Sequence, residues 1–241
     1  MMEAFSKAAA QRGEEMGIGL VEAILSERAD LRDGVAKGAL SVSFAACGKN
    51  AHTVFIGDEV FKGPWLNKAA TRPQSETQDV KMKSNRLADF ENEIEALRHL
   101  EDSGLCVPKV TCVGTNALFF GMTRMPCVML DDIIDAFTPQ QERELAQDLA
   151  DFIIRMARAL PMKDGKYAKH GDLHRYNILV SPDTGRMTSI IDFGKILYLP
   201  ASRLASAAFK PEINNMIVEE FESRKHELIS PRGHLSKTCA P

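Results

Sequence analysis

The segment that most restricts the fold lies between residues 170 and 194. There His170-Gly171-Asp172-Leu173-His174-Arg175-Tyr176-Asn177 and Asp192-Phe193-Gly194 flank an apolar hairpin pattern. Ile178-Leu179-Val180 and Ser189-Ile190-Ile191 read as short strands, with the turn residues Ser181-Pro182-Asp183-Thr184-Gly185 between them. Two acid-bearing loops set beside apolar strands mark a site on a scaffold rather than a solvated turn.

Upstream, two kinds of pattern alternate. Ile18, Val21, Ile24, Leu25 and Leu31 recur near a helical period, predicting an N-terminal helix over Glu14 to Leu31 that docks on another element. Leu40-Ser41-Val42-Ser43-Phe44 and His52-Thr53-Val54-Phe55-Ile56 read as strands around the turn Cys47-Gly48-Lys49-Asn50. Gly57-Asp58 then turns the chain into Glu59-Val60-Phe61-Lys62. The polar stretch from Gly63-Pro64 to about Met82 reads as a mobile connection. Leu87, Phe90, Ile94, Leu97 and Leu100 line a helix ending near Gly104, and Val107 to Val113 and Ala117 to Met122 read as two further strands.

Downstream, Thr138 is an N-cap and Pro139 a first helical residue for an amphipathic helix reaching Leu160, with Leu145, Leu149, Phe152, Ile153 and Met156 inside. A last helix is expected from Pro211 to about Leu228, and the tail beyond Ser230 is expected to fray.

Charge and composition exclude several partners. The 30 basic and 33 acidic residues, net charge −3, are mixed along the chain and form no basic stripe for a nucleic-acid backbone. No apolar run approaches the roughly 18–20 residues of a membrane span, so the chain reads as soluble. The 5 cysteines include no C-x-x-C pair, which suggests reduced thiols in a cytoplasmic compartment.

The segment from His170 to Asn177 fits H-x-D-x-x-x-x-N, and Ile190-Ile191-Asp192-Phe193-Gly194 is an apolar strand ending in an acid. His-Gly-Asp-Leu-His-x-x-Asn resembles the loop of the aminoglycoside phosphotransferase branch of the protein-kinase-like superfamily. Asp-Phe-Gly is similar to the motif of true protein kinases. The resemblance implies an ATP- and Mg²⁺-dependent kinase with Asp172 as catalytic base, Asn177 and Asp192 as metal ligands, and His170 as a packing residue under the loop. Val60-Phe61-Lys62 resembles the strand bearing the phosphate-contacting lysine. The segment Phe90 to Leu97 resembles the helix whose glutamate pairs with that lysine, and Glu93, beside the inward-facing Phe90, Ile94 and Leu97, is the choice over Glu91 and Glu95. Gly48, Lys49 and Asn50 are assigned to nucleotide contact, although one glycine stands where protein kinases have three. Backbone groups near Thr123, Arg124 and Met125 are assigned to adenine.

The expected fold is α+β and two-lobed. Residues 1–38 form a helical extension, 39–125 a five-stranded antiparallel N-lobe with one inserted helix, 126–230 a reduced, mostly helical C-lobe, and 231–241 a flexible tail. His174 stands where protein Ser/Thr kinases have lysine, which favours a small-molecule acceptor. Gly171 replaces the arginine before the catalytic Asp, so activation through a phosphorylated loop docking on that arginine is not expected. The short stretches around the loop favour a protein acceptor instead, since aminoglycoside and choline kinases build their pocket from extra helices there. Lys210-Pro211-Glu212 reads as a helix start or as a vestige of an A-P-E segment. The layout from about Leu40 to Leu228 resembles the RIO-type enzymes and the reduced kinases that plant-pathogenic bacteria inject by type III secretion. That likeness implies a Ser/Thr kinase acting on a host protein, with the heat-shock protein 90 chaperone as one precedent. A small-molecule phosphotransferase and a pseudokinase binding module are the alternatives.

Overall fold

A computed structural model describes residues 18–45, 51–64, 76–116 and 118–229. It divides into two compact units, Met1–Phe90 with Lys109–Arg124 and Glu91–Pro108 with Met125–Pro241.

The first unit is built on an antiparallel sheet in the order β1-β2-β3-β5-β4. Its strands are β1 (Val42–Phe44), β2 (Ala51–Ile56), β3 (Glu59–Pro64), β4 (Val110–Val113) and β5 (Phe120–Thr123). Ile56 pairs with Glu59 across the Gly57-Asp58 turn, and Gly57 supplies the positive φ of 58° that the turn needs. Helical residues 18–27 (α1) and Ala29–Ala36 (α2) bring Ile24 and Leu31 into one core with Val54, Ile56, Phe61 and Phe119. The expected single N-terminal helix is therefore two, and it breaks at Arg28 (φ −113°, ψ 83°). There the guanidinium reaches Asp30 at 2.7 Å and Glu59 of β3 at 2.8 Å, so a tie to the sheet accompanies the break.

Helix α3 (Glu76–Glu101) begins in the stretch read as a connection. Its first turns are polar in composition and offer no apolar stripe to read. Beyond them Phe90, Ile94, Leu97 and Leu100 are buried as their spacing requires, and Phe90 meets Phe120 edge-on at 5.2 Å.

The second unit is organised around α5 (Pro139–Ala159), which buries Leu145, Leu149, Phe152, Ile153 and Met156. Thr138 caps it with a full capping box, its Oγ1 accepting from the Gln141 amide at 3.3 Å. One sheet runs β6 (Val128–Met129), β8 (Ile178–Val180), β9 (Met187–Ile190), and a second pairs β7 (Tyr167–His170) with β10 (Ile196–Leu199). A one-turn helix α4 (Leu130–Ile133) follows β6, and α6 (Pro211–Arg224) runs into a 3₁₀ turn at Lys225–Leu228. Arg224 ties α6 to α5 by a 2.8 Å bond to Asp151 and to its own terminus by a 2.7 Å bond to Glu227. Pro211 takes the first turn of α6, so Lys210-Pro211-Glu212 is a helix start.

Candidate active site

The segment from His170 to Asn177 is held by three strands of the second unit. β7 ends on His170, and β8 begins immediately after Asn177. β8 and β9 pair antiparallel, Ile178 against Ile190, and the ladder continues outward as Ile191 N–H donates to Asn177 O at 3.0 Å. An antiparallel hairpin returns its two ends to one place, so Asn177 lies opposite Ile191, the residue before Asp192.

His170 joins the two motifs. It is 2% exposed. Its Nδ1 accepts from the Asp172 amide at 3.2 Å, and its Nε2 lies 3.0 Å from Ile191 O. A carbonyl can only accept, so Nε2 carries the proton and the ring is neutral. Burial pushes its pKa down, outweighing the opposing pull of the Ile191 carbonyl and of the Asp192 and Asp172 charges. The expected packing role is thus also a hydrogen-bonding one. One edge of the ring orients the loop, the other the strand before Asp192, and the Phe193 ring stacks edge-on at 5.0 Å. Phe193 is itself fully buried and lies 6.3 Å from Phe152 of α5.

Gly171 has a local reason. A Cβ there would stand 2.7 Å from the Lys195 carbonyl oxygen and 2.7 Å from Lys195 Cγ, because Gly171 N–H donates to that carbonyl at 2.6 Å. The loop can lie on β10 only without a side chain at this position.

Asp172 presents a carboxylate that is 52% exposed. His174 accepts from the Tyr176 amide through Nδ1 at 3.3 Å, which turns Nε2 toward Asp172 Oδ1 at 3.4 Å. His174 therefore steadies one carboxylate oxygen. Arg175 pairs with Asp131 of α4 at 2.5 Å and fastens the loop's far side.

Asn177 is 7% exposed and donates Nδ2–H to Asp172 O at 2.9 Å. With the amide nitrogen so committed, Oδ1 is the atom presented to a cation. Asp192 is exposed and adopts φ 68°. That is a left-handed conformation, costly for a side-chain-bearing residue, and such outliers gather where a site demands a particular direction. Among the described residues no group of three or more His, Cys, Asp and Glu side chains converges on one point. An Asn oxygen with a carboxylate is a hard, oxygen-only pair, the kind magnesium uses when substrate phosphates and water complete its shell.

Lys62 lies on β3 between Thr53 and Phe120, and Glu93 lies on α3; both are buried charges. Thr123 closes β5, its N–H donating to Lys109 O at 2.9 Å, while Met125 O accepts from Cys127 N–H at 3.0 Å. Gly48, Lys49 and Asn50 lie outside the described residues. Neither the packing reason for glycine at 171 nor the Arg175–Asp131 pair shows in the sequence, because the partners lie far away along the chain.

The sequence matches the RIO domain over residues 60–232. The chain belongs to the RIO-domain family. The match to this RIO domain takes in Lys62, Glu93 and the whole segment from His170 to Gly194. Comparison with curated sequences gives no match. Among solved structures, the RIO chain is similar to a streptomycin–ATP ternary complex of APH(2″)-IIa (12% identity, 83% of this chain and 84% of that one, TM-score 0.57). It is also similar to ADP-bound aminoglycoside phosphotransferase APH(2″)-Ib (13% identity, 83% and 84%, TM-score 0.57). A third similar structure is the bifunctional kinase-methyltransferase WbdD (17%, 73% and 43%, TM-score 0.50). At these identities the likeness shows the fold: protein-kinase-like, as the motifs implied.

Proposed function

We propose that this chain is a magnesium- and ATP-dependent kinase that transfers the γ-phosphate to a hydroxyl, with a protein serine or threonine as acceptor. The observation that supports the reaction type is that the β8–β9 hairpin sets Asn177 opposite Ile191, the residue before Asp192, with the Asp172 backbone held by His170 and Asn177. Asn177 Oδ1 and Asp192 would hold magnesium, which when bound neutralises phosphate oxygens. Asp172, steadied by His174, orients the acceptor hydroxyl and takes its proton. Lys62 is assigned to the phosphates and Glu93 to orienting that lysine; Gly48, Lys49, Asn50, Thr123 and Met125 remain the nucleotide assignments. The APH(2″) structures with bound ATP and ADP, similar in fold, support the nucleotide-dependent part of this reading.

The protein acceptor is supported by what fills the interval before the loop. Between Met125 and His170 lie one short strand, a one-turn helix and its 3₁₀ extension, the single long helix α5, and β7. The inner face of α5 is spent on the core, and no additional helices stand there to close over a small acceptor. His174, shared with the small-molecule branch, favours the alternative. Labelled ATP offered with a host-cell protein extract, purified heat-shock protein 90 chaperone, and a panel of aminoglycosides and small alcohols separates the two. Label entering serine or threonine of protein supports the proposal. Label confined to small alcohols overturns the protein acceptor, and chaperone labelling would favour the secreted-effector form.

A further inference from the structure

The five-stranded sheet of the first unit has two unlike faces. Val54, Ile56, Phe61 and Phe119 belong to the core shared with α1 and α2. Residues paired directly across strands share a face, so the opposite face carries two rows: Thr53, Lys62 and Phe120, then Ser43, Phe55, Val60 and Met122. The rows stand about 7 Å apart, two residues of strand. The second row lies toward the end of the sheet where the chain leaves β5 through Thr123 and Arg124. With Lys62 on the phosphates, as proposed above, the base of the nucleotide, one ribose away, falls on this row, and Phe55 is its one aromatic ring.

That ring is already covered. Phe55 is half-buried, and the Arg124 guanidinium lies over it, 5.0 Å from the ring centroid. The Arg124 backbone is anchored, its N–H donating to Asp58 O at 2.9 Å. The side chain is exposed, and among the described residues its guanidinium forms no ion pair or hydrogen bond. The contact with the ring is therefore what holds it there, at the modest strength of an exposed cation–π pair. A stacked base needs its plane about 3.5–4.0 Å from the ring, so guanidinium and base cannot share that face.

We propose that the Arg124 side chain is a removable plug: in the free chain its guanidinium covers the face of Phe55 on which the purine of a nucleoside triphosphate stacks, and it swings out when the nucleotide binds. This inference rests on the kinase reading above. The backbone beside Thr123 stays in place while the side chain moves, and rotamer changes of exposed side chains are fast. A site that is competent only with the plug out shows an affinity reduced by the fraction of molecules that are open. An exposed cation–π contact of ordinary strength leaves about one molecule in three to six open, so the plug weakens nucleotide binding by that factor without touching the phosphates.

Calorimetric titration with MgATP, and with magnesium tripolyphosphate as a probe that has the phosphates without the base, tests this on the wild-type chain, Arg124→Ala, Phe55→Leu and the double variant. Arg124→Ala should bind MgATP about 3–6-fold more tightly and tripolyphosphate no more tightly than the wild type. A cation near a triphosphate ordinarily helps binding, so the gain has the opposite sign to the charge effect. Phe55→Leu keeps an apolar side chain in β2 and should weaken MgATP by about 5-fold or more, again sparing tripolyphosphate; in that background Arg124→Ala should add nothing. Unchanged or weaker MgATP binding in Arg124→Ala, an equal gain for tripolyphosphate, or full MgATP affinity in Phe55→Leu overturns the plug, while nucleotide binding by the wild type leaves the kinase reading standing. A wild-type chain that binds no MgATP overturns both.

Discussion

Replacing His170 with phenylalanine tests the joint between the two motifs. The substitution keeps a ring against Phe193 but removes both hydrogen bonds, stranding the Asp172 amide and the Ile191 carbonyl. Each group left unsatisfied in a buried place costs about 1–3 kcal/mol, so the variant should lose about 2–6 kcal/mol at pH 7.5. A pH signature separates this from a packing defect. The folded-state pKa of His170 is depressed below its unfolded value of 6.5. Below pH 6.5 the unfolded chain binds a proton that the folded chain refuses. Stability is therefore complete above 6.5 and is lost as pH falls through 6.5 toward the depressed folded value. Between pH 7.5 and 5.5 this single group accounts for up to about 1.4 kcal/mol of lost stability. In His170→Phe that part of the loss should be absent. Urea unfolding of both proteins at the two pH values, followed by circular dichroism, measures it. Equal losses in wild type and variant would refute the neutral, doubly bonded histidine.

Two further substitutions probe the scaffold. Gly171→Ala forces a Cβ to within 2.7 Å of the Lys195 carbonyl oxygen, and backbone cannot yield as a side-chain end can; a cost of about 1–3 kcal/mol and a large fall in kcat are expected, and an unchanged melting temperature with full activity would contradict the close approach. Thr138→Ala removes the capping box of α5 and should cost about 1 kcal/mol, read as a melting shift of about 2–4 °C with KM for ATP unchanged.

Much of the site was legible because its signal is local. The hairpin pattern, the turn Ser181 to Gly185 and the residue types at 172, 177 and 192 lie in one short stretch, and the structure forms the hairpin, with Asn177 opposite Ile191. Thr138 with Pro139 announced the start of α5 because capping is encoded within four residues. What stayed hidden depends on partners distant in sequence. β7 and β10, far apart in sequence, pair with each other, and Tyr167-Ala168-Lys169-His170 carries a buried lysine where alternation would place a surface one. The helical turns from Glu76 were hidden by polarity. The break at Arg28 follows from ties to Asp30 and Glu59 that spacing alone does not show. Gly171 reads in sequence as a departure from a motif, and only the Lys195 carbonyl explains it.

In the proposed reaction Asp172 acts on the acceptor while Asn177 and Asp192 hold the metal. Calorimetric MgATP binding and phosphotransfer, measured together on wild type, Asp172→Asn and Asp192→Asn, test it most directly. Asp172→Asn should keep wild-type nucleotide affinity and lose turnover by several orders of magnitude, whereas Asp192→Asn should lose magnesium-dependent binding as well. Equal loss of ATP affinity in both variants, or substantial turnover without Asp172, would contradict it.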